Sequence, residues 1–211
     1  MSKAAAARAS SGRTRRSPIR RICVFCGSSL GLNPAFAAAT RVLGAELALR
    51  GIEVVYGGGN VGLMGVLADA VLGSAGRVIG VIPHALVARE LAHQGLTALH
   101  VVNSMHERKA RMAELSDGFI ALPGGFGTLE EFCEAVTWTQ LGVHAKPCGL
   151  LNIDGFYDGL LTFFEHALGE EFLKPTHRHI VVAHSDAALL IERMTEWTPP
   201  EVTRWIDKTE S

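Results

Sequence analysis

The sequence has no run of apolar residues that approaches the roughly 18 needed for a membrane-spanning helix. It also has no secretory signal pattern, because the arginines before residue 22 are followed only by the short apolar segment 22–26 and then Gly27. These two absences predict a soluble, cytoplasmic protein with no membrane as a partner.

Cysteine is scarce as well, with four residues in a chain of 211, which is too few for a disulfide framework. Cys23 and Cys26 have the spacing of a redox or zinc pair, but they lie in an apolar strand-like run and no second pair follows. We therefore predict that all four thiols, which also include Cys133 and Cys148, belong to the core.

Charge is low overall, and it is unevenly distributed. The formal net charge is -1, yet residues 1–21 contain lysine and arginine and no acid, so the remainder of the chain is acidic. A folded part without a basic surface argues against nucleic acid as a partner. We predict a disordered basic tail over 1–21, whose alternative role is contact with nucleic acid or membrane, one domain over 22–195 and a C-terminal tail over 196–211.

Short β-branched apolar runs alternate with longer segments of helical period, which is typical of an α/β doubly wound parallel sheet in three layers. With 48% hydrophobic residues, the chain can bury such a sheet on both faces. The predicted strands are 22–27, 52–56, 78–82, 99–102, 118–122, 147–152 and 180–183. The predicted helices are 34–50, 62–75, 104–115, 128–141, 155–168 and 186–194.

Three of the predicted strands are followed by loops of small residues, where backbone N–H groups can approach an anion closely. Any one of them could be a plain turn, but three at one edge of the sheet favour phosphate binding. The phosphate or ribose loop candidates are Gly27, Ser28, Ser29, Gly58, Gly59, Asn60 and the segment 123–128. The second loop lacks the acid expected about 20 residues on in a dinucleotide site, and no Gly-Lys-Ser/Thr triplet occurs. These absences argue against a dinucleotide and against a nucleoside triphosphate, so a nucleoside monophosphate is the better candidate ligand for these loops.

Two charged side chains stand out within predicted helices. Arg108 falls on the same helical stripe as Met105 and Met112, which are predicted core residues, so it needs a partner near the core. That partner is either a structural carboxylate or a ligand phosphate or catalytic carboxylate. Glu131 faces outward near the start of the next long helix, where its spacing from Thr128 also fits a capping box.

The segment 123–131, together with 105–110 and 56–65, resembles the Lonely Guy (LOG) family of cytokinin-activating phosphoribohydrolases. The resemblance runs from about residue 22 to 194. It implies a Rossmann-like homodimer that hydrolyses the N-glycosidic bond of an N6-modified adenosine 5′-monophosphate. Members are often mislabelled lysine decarboxylases, although none of the five lysines here looks like a Schiff-base residue.

The resemblance implies that Arg108 and Glu131 form the catalytic pair. Glycosidic chemistry agrees with this, because a carboxylate beneath the sugar can stabilise the transition state or activate water, and a nearby arginine holds it ionised and in place. The resemblance also implies a set of nucleotide-binding positions. These are Glu90, Lys109, Gly124, Gly125, Phe126, Gly127, Thr128, Leu129, Glu130 and Thr137. No cofactor or metal is expected. Two alternatives remain open, an AMP nucleosidase for purine salvage and a non-catalytic nucleotide or cofactor carrier.

Overall fold

A parallel sheet of seven strands forms the centre of the fold. The computed structural model describes residues 18–87 and 92–200, and the strand order is β4-β3-β2-β1-β5-β6-β7. The strands are β1 Arg21–Phe25, β2 Glu53–Tyr56, β3 Val78–Pro83, β4 Ala98–Val102, β5 Gly118–Ala121, β6 Cys148–Leu151 and β7 Val181–His184. The predicted doubly wound parallel sheet is therefore confirmed.

Helices cover both faces of the sheet. They are α1 Pro34–Leu49, α2 Gly62–Gly73, α3 His84–Val87, α4 Met105–Leu115, α5 Phe126–Gln140, α6 Asp158–Gly169 and α7 Ala187–Glu196. Side chains alternate along β1, so that Ile22 and Val24 pack under α1, α2 and α7, whereas Cys23 and Phe25 pack under α4, α5 and α6. The single turn α3 was not predicted, because it is too short to show a helical period.

The chain reverses its direction of winding beside β1. Strands β1 to β4 follow one another towards one edge, and the chain then returns to place β5 on the other side of β1. The loops that follow β1 and β5 therefore diverge at the carboxyl edge of the sheet. In open α/β sheets this is where ligands bind.

The described residues include both boundaries of the predicted domain, residues 22 and 195. The backbone N–H groups of Arg20 and Arg21 both donate to Asp117, so the ordered fold begins before residue 22. At the other end Trp197 is buried, and its indole N–H donates to the carbonyl of His179. Residues 1–17 and 201–211 lie outside the described part of the chain. No helix within 18–87 or 92–200 is long and apolar enough to cross a membrane.

The thiols divide into two groups. Cys23 and Cys148 are buried as predicted, and burial raises the pKa of the Cys148 thiol to about 12. Cys26 is half-buried. Cys133 is exposed, so the prediction of a core thiol is wrong at this position. The reason is the rotation of α5, whose buried residues are Thr128, Phe132, Ala135 and Thr139.

Candidate active site at the carboxyl edge of the sheet

A cavity of about 310 Å³ opens where the chain leaves β1, β2 and β5. It lies at the reversal point of the sheet, where the fold predicts a ligand site. Most of its wall comes from the loop after β1, the start of α5 and the inner face of α4. Its lining includes Gly27, Ser28, Gly57, Met105, Arg108, Gly125, Phe126, Gly127, Thr128, Glu130 and Glu131.

The glycines of the loop after β5 have two different functions. A Cβ atom on Gly124 would lie 2.1 Å from Thr128 Oγ1 and 2.9 Å from the backbone nitrogen of Gly27, so this glycine allows the two loops to pack together. A Cβ atom on Gly125 or Gly127 would meet no heavy atom within 4 Å. These two residues therefore border open space that a ligand can occupy.

Helix α5 begins inside the glycine-rich segment, two residues earlier than predicted. Gly125 is its N-cap residue and makes no side-chain cap, and the first helical residues are Phe126, Gly127 and Thr128. Their N–H groups have no partner within the helix and can bind an anion. Because Thr128 already lies inside the helix, the capping-box interpretation of Thr128 and Glu131 is wrong.

The guanidinium group of Arg108 is buried at the ends of two strands. Its Nε donates to the carbonyl of Val81 at 3.1 Å, and its Nη2 donates to the carbonyl of Gly57 at 3.4 Å. A Cβ atom on Gly57 would lie only 2.0 Å from Nη2, so glycine makes room for the guanidinium. The expected position of Arg108 on the core-facing stripe of its helix is confirmed.

The carboxylate of Glu131 is the charged partner of Arg108. Its Oε1 lies 3.6 Å from Arg108 Nη1, and only 13% of the Glu131 side chain is exposed. Burial raises the pKa of Glu131, and the opposing effect of Arg108 is smaller. Arg108 acts in the direction expected from the sequence, because it lowers the pKa of Glu131, but burial has the larger effect and the net shift is upward. A carboxyl group with a raised pKa is better suited to exchanging protons near neutral pH.

Lys109 points away from the cavity, although the sequence suggests it as a second positive charge for the anion. Its Nζ donates to Glu130 Oε1 at 2.5 Å and to Glu134 Oε1 at 3.0 Å. Lys109 lines a separate groove between α4 and α5. Burial is the largest single effect on the pKa of Lys109 and lowers it, but the hydrogen bonds and charges of Glu130 and Glu134 together outweigh burial and raise that pKa.

Several other predicted positions do not line the cavity. Thr137 is exposed on α5, bonds to the carbonyl of Cys133 and borders a groove next to α6, while Leu129 packs against the core. Of the second glycine-rich loop, only Gly57 reaches the cavity. The predicted positions away from its lining are Ser29, Gly58, Gly59 and Asn60. Glu90 lies outside the described residues.

Some lining residues were missed from the sequence. Met105 was predicted to be core, but it is 43% exposed at the cavity, and Cys26 also reaches the lining. The missed signal is the place of Met105 in the first turn of α4, which projects beyond the sheet. Within the described ranges, no three histidine, cysteine or acidic side chains are grouped to hold a metal ion.

The fold and the cavity together define a Rossmann-like α/β protein in which a helix N-terminus faces a buried arginine–carboxylate pair. The family described as "Possible lysine decarboxylase" matches residues 64–194. Over 199 residues, 94% of this chain and 88% of that protein, the sequence is 50% identical to the "Probable cytokinin riboside 5'-monophosphate phosphoribohydrolase LOGL9" of Oryza sativa subsp. japonica. It is 49% identical to LOG1 of Arabidopsis thaliana, named for the same activity, over 87% of this chain and 86% of that protein.

The chain therefore belongs to the family of cytokinin riboside 5′-monophosphate phosphoribohydrolases. Among solved structures, the molybdenum cofactor carrier protein of Chlamydomonas reinhardtii is similar, with a TM-score of 0.65 and 21% identity over 86% of this chain and 98% of that one. This second similarity concerns the fold alone.

The lysines agree poorly with a decarboxylase that forms a Schiff base. Lys109 is held by two carboxylates, and Lys146 donates to the carbonyl of Ala113. A Schiff-base lysine needs a free, unprotonated amine. The raised pKa of Lys109 works against that requirement.

Proposed function

We propose that this protein hydrolyses the N-glycosidic bond of N6-modified adenosine 5′-monophosphates and releases the free base and ribose 5-phosphate. The observation that carries the proposal is the buried pair Arg108–Glu131 in the same cavity as the exposed N-terminus of α5. The activity named for the relatives agrees with it.

The 5′-phosphate is assigned to the start of α5. The N–H groups of Phe126, Gly127 and Thr128 supply donors without partners in the helix, and Gly125 and Gly127 leave space for the phosphate oxygens. The positive end of the helix dipole favours the same negative charge. Lys109 is not needed for this role.

The sugar is assigned to the space next to Glu131. This residue follows Phe126 by five positions, so it lies ~7.5 Å further along the helix axis, at 1.5 Å per residue. Cleavage of a glycosidic bond passes through a state with positive charge on the sugar, which a carboxylate stabilises while it activates water. Arg108 orients the carboxylate by charge and is itself fixed by the carbonyls of Val81 and Gly57.

An apolar rim supports a preference for bases with an apolar N6 substituent. Phe126 is 94% exposed and Met105 is 43% exposed, and both line the cavity. Covering such large apolar side chains is favourable in proportion to the area removed from water. Plain AMP offers less apolar surface to this rim than isopentenyl-AMP does.

Base release from matched substrates tests the proposed function. We expect isopentenyl-AMP to be cleaved faster than AMP, and each monophosphate to be cleaved at least about a hundredfold better than its nucleoside, because the charge-assisted bonds to phosphate are lost. Chromatography of the released base measures both ratios. Equal rates for nucleotides and nucleosides would overturn the assignment of the phosphate, and tight binding without any cleavage would indicate a carrier.

We also propose that the protein is a homodimer in which α5 lies at the interface. Two open grooves flank this helix, one of about 1050 Å³ towards α4 and one of about 840 Å³ towards α6. Apolar side chains such as Trp138 and Leu161 line them, which favours burial against a second copy. Thr137 faces the second groove, so it can serve a nucleotide site only in the partner subunit.

Sedimentation tests the dimer. We expect a mass of twice 22.6 kDa for the wild-type chain at micromolar concentration. Cys133→Arg places a charge on an exposed position in the groove beside α6 and is expected to shift the mass to that of a monomer. A wild-type protein that sediments at 22.6 kDa would contradict the proposal.

A further inference from the structure

Lys109 connects α4 and α5 at the groove between them. Its side chain is 11% exposed, and it reaches from α4 to two carboxylates of α5, Glu130 and Glu134. The groove between these helices has a volume of about 1050 Å³. In the described part of the chain, every ion pair between α4 and α5 involves either Lys109 or its neighbour Arg108.

The two sets of ion pairs are adjacent in sequence on both helices. Arg108 and Lys109 are consecutive on α4, and their partners Glu131 and Glu130 are consecutive on α5. The Arg108–Glu131 pair and Glu130 line the cavity, whereas Lys109 and Glu134 line the groove. Any movement of α5 relative to α4 that breaks the Lys109 bonds also changes the separation of the catalytic pair.

We propose that Lys109 is a positioning residue, which holds Glu131 in place through Glu130 and Glu134, and that it is not a ligand of the substrate phosphate. This inference rests on the proposed function. It gives Lys109 a different role from Arg108, although the two residues are neighbours in one motif. Two of the three donors of its ammonium group are already used by carboxylates on α5.

The charges of the cluster also act on Glu131. Burial has the largest effect on the pKa of Glu131, Arg108 and Lys109 lower it from α4, and Glu130 and Glu134 raise it from α5. The thiols of Cys23 in β1 and of Cys26 directly after β1 interact electrostatically with the same carboxylate. Loss of Lys109 therefore raises the pKa of Glu131, and loss of the charge on Glu134 lowers it.

The experiment compares Lys109→Met, Lys109→Arg and Glu134→Gln, with Arg111→Gln as the control because Arg111 lies on the same helix and pairs only with surface Glu114. Base release from isopentenyl-AMP gives kcat, KM and the pH profile. Because small displacements of catalytic groups are costly, we expect kcat to fall about tenfold in Lys109→Met and about threefold in Glu134→Gln. Lys109→Arg, which can keep both ion pairs, should recover most of the activity.

Two further measurements, the pH profile and the preference for monophosphate over nucleoside, distinguish a positioning role of Lys109 from phosphate binding. The acidic limb of the pH profile should move up in Lys109→Met and down in Glu134→Gln, while the preference for monophosphate over nucleoside persists in both. A phosphate ligand predicts the opposite pattern, in which Lys109→Met loses that preference and Glu134→Gln, by freeing Lys109, lowers KM with kcat unchanged. That pattern, or Lys109 variants that behave like Arg111→Gln, would overturn the inference. A wild-type protein that releases no base would instead overturn the proposed function and this inference with it.

Discussion

Replacement of Glu131 by glutamine is expected to lower kcat by about a hundredfold or more, while the protein stays folded and binds AMP. Glutamine keeps the size and the hydrogen-bonding capacity of the side chain but removes the charge that stabilises the developing positive sugar and activates water. Helix α5 should be unaffected, because Glu131 lies in its interior and does not cap it. Circular dichroism measures whether the variant is folded, and single-turnover base release measures the loss of activity.

The matched control for this substitution is Glu114→Gln. Glu114 forms a surface pair with Arg111 outside the cavity, and pairs of this kind contribute little to stability. Its kcat should equal that of the wild type. A folded Glu131→Gln protein with the kcat of the wild type would show that Glu131 is not the catalytic carboxylate.

Replacement of Arg108 by lysine is the second large effect that we expect, with a loss of at least about tenfold in kcat. The guanidinium bonds two carbonyls and approaches Glu131 at the same time, which a single ammonium group cannot do. Lysine keeps the positive charge, so the loss would reflect geometry. Base release with isopentenyl-AMP, together with a thermal unfolding curve, measures the change.

Gly57→Ala tests the same arginine without altering it. The added methyl group would overlap Nη2 of Arg108 and displace the buried guanidinium from its carbonyl partners. We expect kcat to fall in parallel with Arg108→Lys, and the unfolding temperature to fall as well, because a buried charge loses its partners. Gly125→Ala is a poor control because it borders the ligand space, whereas Gly73→Ala meets no neighbouring atom and lies at the far end of α2. Full activity in Gly57→Ala would mean that the position of the guanidinium is unimportant.

The sheet could be predicted because its signal is local. The five inner strands are short apolar runs and are almost fully buried, as strands covered on both faces of a parallel sheet must be. The segments around β1 and β5 also carry the glycines that mark a ligand edge, so the location of the site could be predicted with them. The stripe of α4 correctly placed Arg108 beside the core.

The first residue of α5 could not be predicted from the local sequence. A segment of Gly, Gly, Phe and Gly has low helix propensity and resembles a turn, yet tertiary contacts allow the helix to begin at Phe126. This shift of two residues changes the role of Thr128 from cap to buried side chain. It also removes the structural explanation that competed with catalysis at Glu131.

The partners of Lys109 could not be predicted from the sequence for a different reason. Whether a lysine meets a phosphate or two glutamates depends on how α4 and α5 are placed on the sheet, and residues 109 and 134 are distant in sequence. The sign of the pKa shift at Glu131 depends likewise on burial, which outweighs the neighbouring arginine. Neither property leaves a periodic pattern in the sequence.

The most direct measurement of the central claim is product analysis of isopentenyl-AMP cleavage in water labelled with heavy oxygen. Hydrolysis at the cavity predicts equal amounts of free base and ribose 5-phosphate, with one labelled oxygen at C1 of the sugar, for the wild type. The Glu131→Gln protein should bind the nucleotide and form almost none of either product. Free base without labelled ribose 5-phosphate, or equal product from both proteins, would contradict the account.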